Sequence, residues 1–163
     1  AAGLGESIVY IATSIAFDDE MKDRIKKHRS QRPVSWRTVE AYKDFDCCLA
    51  NHMEGMDGAV LDCLTLMVSN IMLEKDMEWV NTTPDEINKV ENTVKEEVSK
   101  LIHTAQNAPF PFIIVTNELG MGLVPSTILG RAMRDIAGRM NQMLAHAAEE
   151  AYLCVSGLQI RIK

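Results

Sequence analysis

The segment RIKKHRSQRP (24–33) sets one histidine, His28, among five cations, Arg24, Lys26, Lys27, Arg29 and Arg32, and closes on Pro33. Guanidinium groups offer planar forks that bind phosphate oxygens in pairs. A neutral imidazole beside them can attack phosphorus, and the surrounding cations favour the uncharged ring by opposing a further positive charge. Two plainer readings fit the same residues. Acids open DDEMKDRIKKHR (18–29) and bases close it, so His28 can be a cation that stabilises a helix C-terminus. It can also bind phosphate without forming a covalent bond. Its stripe with Phe17, Met21 and Ile25, at spacings of four, four and three, directs it partly inward. Pro33 ends the helix and fixes the turn that follows.

Two acids are candidates for work beside that histidine. Asp62 follows an apolar run, a placement used for the magnesium-facing acid of nucleotide-binding α/β proteins, although such an acid can equally cap a neighbouring turn. Glu40 closes WRTVE and by itself reads as a surface charge. His52, His103 and His146 have no catalytic neighbours in sequence. Cys47, Cys48, Cys63 and Cys154 show neither CxxC spacing nor a nearby histidine pair, which argues against zinc and against a disulfide scaffold and for buried reduced thiols. No G-x-x-x-x-G-K-[ST] phosphate loop occurs, and GMGLVPST (120–127) lacks its lysine.

The elements that must position these residues alternate in type. SIVYIAT (7–13), the start of GAVLDCLTLMV (58–68), FPFIIVTNE (110–118) and AYLCVSG (151–157) are apolar runs without polar alternation, as in strands buried on both faces. Between them lie helical patterns. TPDEINKVENTVKEEVSKLIHTAQ (83–106) repeats Ile87, Val90, Val94, Val98 and Leu101. Residues 126–151 repeat Ile128, Met133, Ile136, Met140 and Leu144, with Gly130 and Gly138 marking close packing or a bend. Buried strands alternating with helices predict one α/β domain, residues 1–163, with all four runs in a mostly parallel sheet. Its carboxyl edge, where such sheets bind ligands, collects Thr13-Ser14, Asp62 to Thr65, Thr116-Asn117-Glu118 and Ser156-Gly157.

Composition narrows the partners. The chain of 163 residues has a net charge of −6 and only 6% aromatics, which argues against a nucleic-acid binder. No apolar run approaches the roughly 18–20 residues of a membrane span, so membrane insertion is not expected, and a cytoplasmic location is. AAGLGES, without an initiator Met, resembles the last turn of a helix ending on a glycine cap, so a preceding N-terminal segment is expected.

Taken in order, IVYIATS…DDEM, RI..HR..RP..WRTVE, VLDCLTLMVSN, IIVTNELGMGLVP, RDIAGRMNQ and VSG resemble the bifunctional adenosylcobinamide kinase and adenosylcobinamide-phosphate guanylyltransferase family of cobalamin synthesis. The resemblance covers essentially the whole chain and is weakest over 74–84. It implies a P-loop NTPase-like α/β fold and a homotrimer. It also implies phosphorylation of adenosylcobinamide by a nucleoside triphosphate, ATP or GTP with Mg2+, then transfer of GMP from GTP to adenosylcobinamide phosphate. The histidine that carries GMP in the family matches His28. Its nucleotide contacts match Thr13, Ser14 and Ile15, then Arg29, Ser30, Gln31 and Arg32, then Glu40 and Asp62, with Asp62 also facing the metal. The family often has Glu at that last position. The family's first strand and Gly-Lys-Ser phosphate loop have no counterpart in this sequence. The competing reading is therefore a non-catalytic nucleotide-binding or assembly module, and a third is kinase or guanylyltransferase activity alone.

Overall fold

Four short strands lie parallel in the order β2-β1-β3-β4, formed by β1 (Ile8–Ala12), β2 (Arg37–Glu40), β3 (Gly58–Asp62) and β4 (Phe112–Val115). The computed structural model describes residues 3–16, 19–30, 32–49, 51–74 and 77–163. Phe17, Gln31 and the side chain of Arg24 lie outside the described residues, as does the start of the expected N-terminal helical turn. The helices are α1 (Asp19–Ser30), α2 (Phe45–Cys48), α3 (Leu64–Leu73), α4 (Pro84–Gln106) and α5 (Ile128–Ala147). Two single-turn 3-10 helices occupy Trp79–Asn81 and Leu119–Met121.

The alternation of side chains along the strands divides the interior in two. Val9, Ile11, Ala59 and Leu61 face the apolar sides of α3, α4 and α5, packing with Leu64, Met67, Ile71, Leu101, Ile136 and Met140. Each of those large side chains is at most 2% exposed, and burying one stabilises the fold by roughly 1.5–3 kcal/mol. Ile8, Tyr10, Ala12 and Val60 form a smaller cluster on the opposite face, covered by Leu4 and Trp36.

Local signals explain the helix starts. Thr83 and Glu86 form a reciprocal capping box at α4, with Pro84 in the first turn. The Thr127 hydroxyl accepts from the Gly130 amide at α5, at 3.1 Å. Gly130 is required by close packing, because a Cβ there would lie 2.6 Å from the Pro125 side chain.

Two expectations about the sheet need correction. The fourth apolar run does not join it: β5 (Tyr152–Val155) and β6 (Leu158–Arg161) form a separate antiparallel hairpin. Ser156 and Gly157, expected at the carboxyl edge, are instead its two-residue turn, both at positive φ (51° and 80°), as a primed hairpin turn requires. Lys163, just past β6, donates to the carbonyls of Ala145, His146 and Ala148 and so ties the hairpin to the C-terminal end of α5. The second correction is β2. RTVE is an edge strand of the parallel sheet, too short and polar for its apolar content to reveal it.

Candidate functional site

Register places the candidate acids side by side. Ala12 pairs with Glu40 on one side and with Asp62 on the other, and Asp62 pairs with Val115. The ends of β1, β2, β3 and β4 therefore share the carboxyl edge where open parallel sheets bind ligands. Thr13, Asp62 and Thr116 meet there as the apolar runs predicted, and Glu40, exposed at the end of β2, joins them.

Thr13 is the pin of this edge. It is 1% exposed, and its hydroxyl accepts from the Cys63 amide and donates to the Cys63 carbonyl, both at 2.8 Å. Its amide donates to the Asp62 carbonyl at 3.1 Å, and its own carbonyl accepts from buried Asn70 at 2.6 Å. With its hydroxyl engaged in this way, Thr13 orders the end of β1, and half-buried Ser14 and Ile15 stand beyond it. Burial pushes the neighbouring Cys63 thiol above its ordinary range, which favours the neutral thiol over the thiolate.

Asp62 is half-buried and accepts a hydrogen bond from the Tyr10 hydroxyl. The Arg32 guanidinium lies 3.4 Å from the centre of the same tyrosine ring, with its Nη1 3.5 Å from the Thr38 hydroxyl. Trp36 stacks on Tyr10, ring centres 6.3 Å apart. Burial first, then the hydrogen bond to Asp62, push the Tyr10 phenol well above its ordinary range, so it stays a donor at physiological pH. Arg32 and Asp62, far apart in sequence, thus meet through a residue that sequence reasoning missed. Its signal was a phenol inside an apolar strand, since a buried Tyr hydroxyl needs a partner.

At the end of β4, Asn141 of α5 holds the chain in place. Its amide nitrogen donates to the Asn117 carbonyl (3.1 Å) and to Glu118 (2.9 Å), and its oxygen accepts from Thr116 (2.7 Å). The Thr65 hydroxyl accepts from the Asn117 amide at 3.0 Å. Asn141 and Glu118 also line a groove of about 450 Å3 with Arg134, Gly138 and Gln142, in which His28 takes no part.

His28 sits in the last turn of α1 with Lys27 and Arg29. Its partly inward direction is a further correction. Met21 and Ile25 are half-buried, but His28, Arg29 and Ser30 are exposed: His28 keeps to the same helix face, yet at the last turn that face is no longer covered. Ser30 caps that end by donating to the Lys27 carbonyl, at 2.8 Å. The cysteines also depart from the buried reading, with Cys47 and Cys154 exposed, and all four are free thiols.

Among the described residues no three His, Cys, Asp or Glu side chains converge to hold a metal by themselves. Magnesium keeps several waters and takes one or two carboxylates together with nucleotide phosphates, so it needs no such cluster. Asp62 fits this role, with one oxygen fixed by Tyr10 and its carboxylate still partly open to solvent. No helix among the described residues is long and apolar enough to cross a membrane.

A parallel sheet that gathers acids and ordered polar residues at its carboxyl edge is the arrangement in which open α/β proteins bind ligands. Residues 1–162 match the family described as cobinamide kinase / cobinamide phosphate guanyltransferase, CobU. The chain is 40% identical over 166 residues to the bifunctional adenosylcobalamin biosynthesis protein CobU of Salmonella typhimurium, covering 99% of this chain and 88% of that one. It is 41% identical over 163 residues to the Escherichia coli protein of the same name, with the same coverage. It is 34% identical to the bifunctional adenosylcobalamin biosynthesis protein CobP of Pseudomonas aeruginosa, across 100% of this chain and 86% of that relative. The chain belongs to the cobinamide kinase / cobinamide phosphate guanyltransferase family.

Proposed function

We propose that the protein phosphorylates the aminopropanol hydroxyl of adenosylcobinamide with ATP or GTP and then transfers GMP to that phosphate through His28. The observation that carries this reading is the arrangement around Tyr10 beside the carboxyl edge. Asp62 and Arg32 meet across Tyr10, and the chain bearing Arg32 leads directly from the helix end that presents His28.

In the guanylyl transfer, an imidazole nitrogen of His28 attacks the α-phosphorus of GTP. A nitrogen–phosphorus bond forms as the bond to the pyrophosphate oxygen breaks, and pyrophosphate leaves with that electron pair. An oxygen of adenosylcobinamide phosphate then attacks the same phosphorus, the nitrogen–phosphorus bond breaks, and adenosylcobinamide-GDP and free His28 result. Exposure of His28 suits this exchange, because the ring must meet two substrates in turn. Arg29 and Arg32 offset charge on the phosphates without competing as nucleophiles, since guanidinium stays protonated. Ser14, Ile15, Ser30, Gln31 and Glu40 complete the nucleotide contacts, with Thr13 ordering the strand end beneath them. Asp62 would hold magnesium, whose charge offsets that of the triphosphate.

The same reading makes this a cytoplasmic homotrimer. The apolar strip of Val155, Leu158, Ile160 and Ile162, each at least 50% exposed on or beside the β5–β6 hairpin, supports burial against further copies. Incubation with adenosylcobinamide, ATP, GTP and magnesium should yield adenosylcobinamide-GDP and pyrophosphate, read by mass spectrometry. Nucleotide binding without either the phosphate or the GDP product would contradict the reading and favour a non-catalytic module.

A further inference from the structure

Tyr10 interrupts an otherwise aliphatic strand, IVYIA, and is only 8% exposed. Packing alone does not call for its hydroxyl, because phenylalanine would fill the same space without a polar group to satisfy. That hydroxyl donates to Asp62, while the Arg32 guanidinium lies over the ring at 3.4 Å. A cation over an aromatic face is held by the ring's electron density, more strongly when partly removed from water, as half-buried Arg32 is. A hydroxyl donating to a carboxylate enriches that density further.

The arrangement also keeps two opposite charges apart. Among the described residues Arg32 forms no ion pair with Asp62, although one tyrosine touches both. Direct pairing would occupy the guanidinium fork and the carboxylate with each other, and neither would remain for a triphosphate. We propose that Tyr10 is a positioning residue that seats Arg32 on its ring and orients Asp62 through its hydroxyl, holding the two charges separate and ready for a nucleotide with its metal. The inference rests on the nucleotide-dependent reading above.

Two substitutions separate the two halves of this role. Tyr10→Phe keeps the ring, so Arg32 stays seated, and removes only the hydroxyl that orients Asp62. Tyr10→Leu removes the seat as well and lets Arg32 close onto Asp62. The measurement is GTP binding followed by Trp36 fluorescence, with Trp79→Phe as the common background, at fixed GTP series with magnesium and again with EDTA. Tyr10→Phe should weaken binding about 3- to 10-fold with magnesium and leave binding in EDTA unchanged, the scale of one hydrogen bond's net contribution, since Asp62 stays in place and loses only its orientation. Tyr10→Leu should weaken both by more than about 10-fold, the loss of a charge-assisted phosphate contact. Thermal melts of each variant without nucleotide keep folding separate from binding.

A Tyr10→Phe protein that binds GTP as tightly as its parent with magnesium would overturn the inference and leave the tyrosine a packing residue. Equal weakening with and without magnesium would overturn the orientation of Asp62. A parent protein that does not bind GTP at all would overturn the functional reading itself, and the inference with it.

Discussion

The carboxyl edge of the sheet and the end of α1 are built to opposite standards. At the edge, Thr13, Asn70, Thr65 and Asn141 carry hydrogen bonds that cross between strands and helices, and Thr13 and Asn70 are at most 4% exposed. At the end of α1, His28, Arg29 and Ser30 are exposed, and the anchor just beyond them is Arg32 on the face of Tyr10. A buried polar network is costly if one member is lost, whereas exposed cations at a helix end are tolerant of change. The difference teaches that the fold fixes the floor of the site and leaves the histidine proposed as its nucleophile accessible. Stability and chemistry should therefore respond to substitution in different places.

The largest loss of stability is expected from Thr13→Val. It keeps shape but leaves the Cys63 amide and carbonyl without their partner, at about 1–3 kcal/mol for each unsatisfied buried group. Urea denaturation would measure this. Asn141→Ala should follow, losing about 1–2 kcal/mol and loosening Thr116 to Glu118. A loss confined to the range of ordinary surface changes, about 0.5 kcal/mol, would show that the edge is less tightly built than its hydrogen bonds imply.

Asp62→Asn should sharpen the comparison from the other side. The amide oxygen can still accept from Tyr10, so folding should change little, while magnesium-dependent GTP affinity should fall by more than about 10-fold, because the proposed magnesium ligand loses its charge. Calorimetric titration with magnesium and with EDTA would separate the two effects.

A smaller effect lies away from both regions. Hydrogen bonds from Lys43 and then Tyr42 hold the Glu74 carboxyl below its ordinary range. A depressed carboxyl contributes stability at neutral pH that is lost as pH falls through its folded value. Glu74→Gln should therefore flatten the acid limb of the stability curve below pH 5, and an unchanged limb would assign that limb to other carboxylates. The smallest stability change is expected from His28→Ala, within about 0.5 kcal/mol, since the side chain is exposed in the last turn.

Much of this molecule was legible in its sequence, and the gaps have physical causes. β1 and β3 could be read because strands buried on both faces are continuous apolar runs, β4 because its run is equally apolar although as an edge strand it is only half-buried, and α4 because its stripe and its Thr-Pro start are regular. The fourth run misled because apolar content does not distinguish a parallel strand from half of a hairpin. The deciding signal was the Ser156-Gly157 dipeptide, whose positive φ angles turn the chain back on itself. In the site, Asp62 fell where a strand end predicts it, whereas Glu40 ends β2, a strand too short and polar to be read as one. Tyr10 and Asn141 did not stand out, because their importance lies in partners 52 and 23–25 residues away. The orientation of His28 was misjudged since a helical stripe inferred from spacing ignores where the helix leaves the protein.

The central claim is that an exposed histidine at the end of α1, and not a group of the rigid edge, carries the nucleotide. Intact-mass spectrometry after incubation with GTP and magnesium tests it most directly. The protein should gain the mass of one GMP, in a bond that is labile to acid and stable to base as a phosphoramidate is. His28→Ala should remain folded and gain nothing. A GMP adduct of undiminished yield on the His28→Ala protein would contradict the account and return His28 to the role of a helix-end cation.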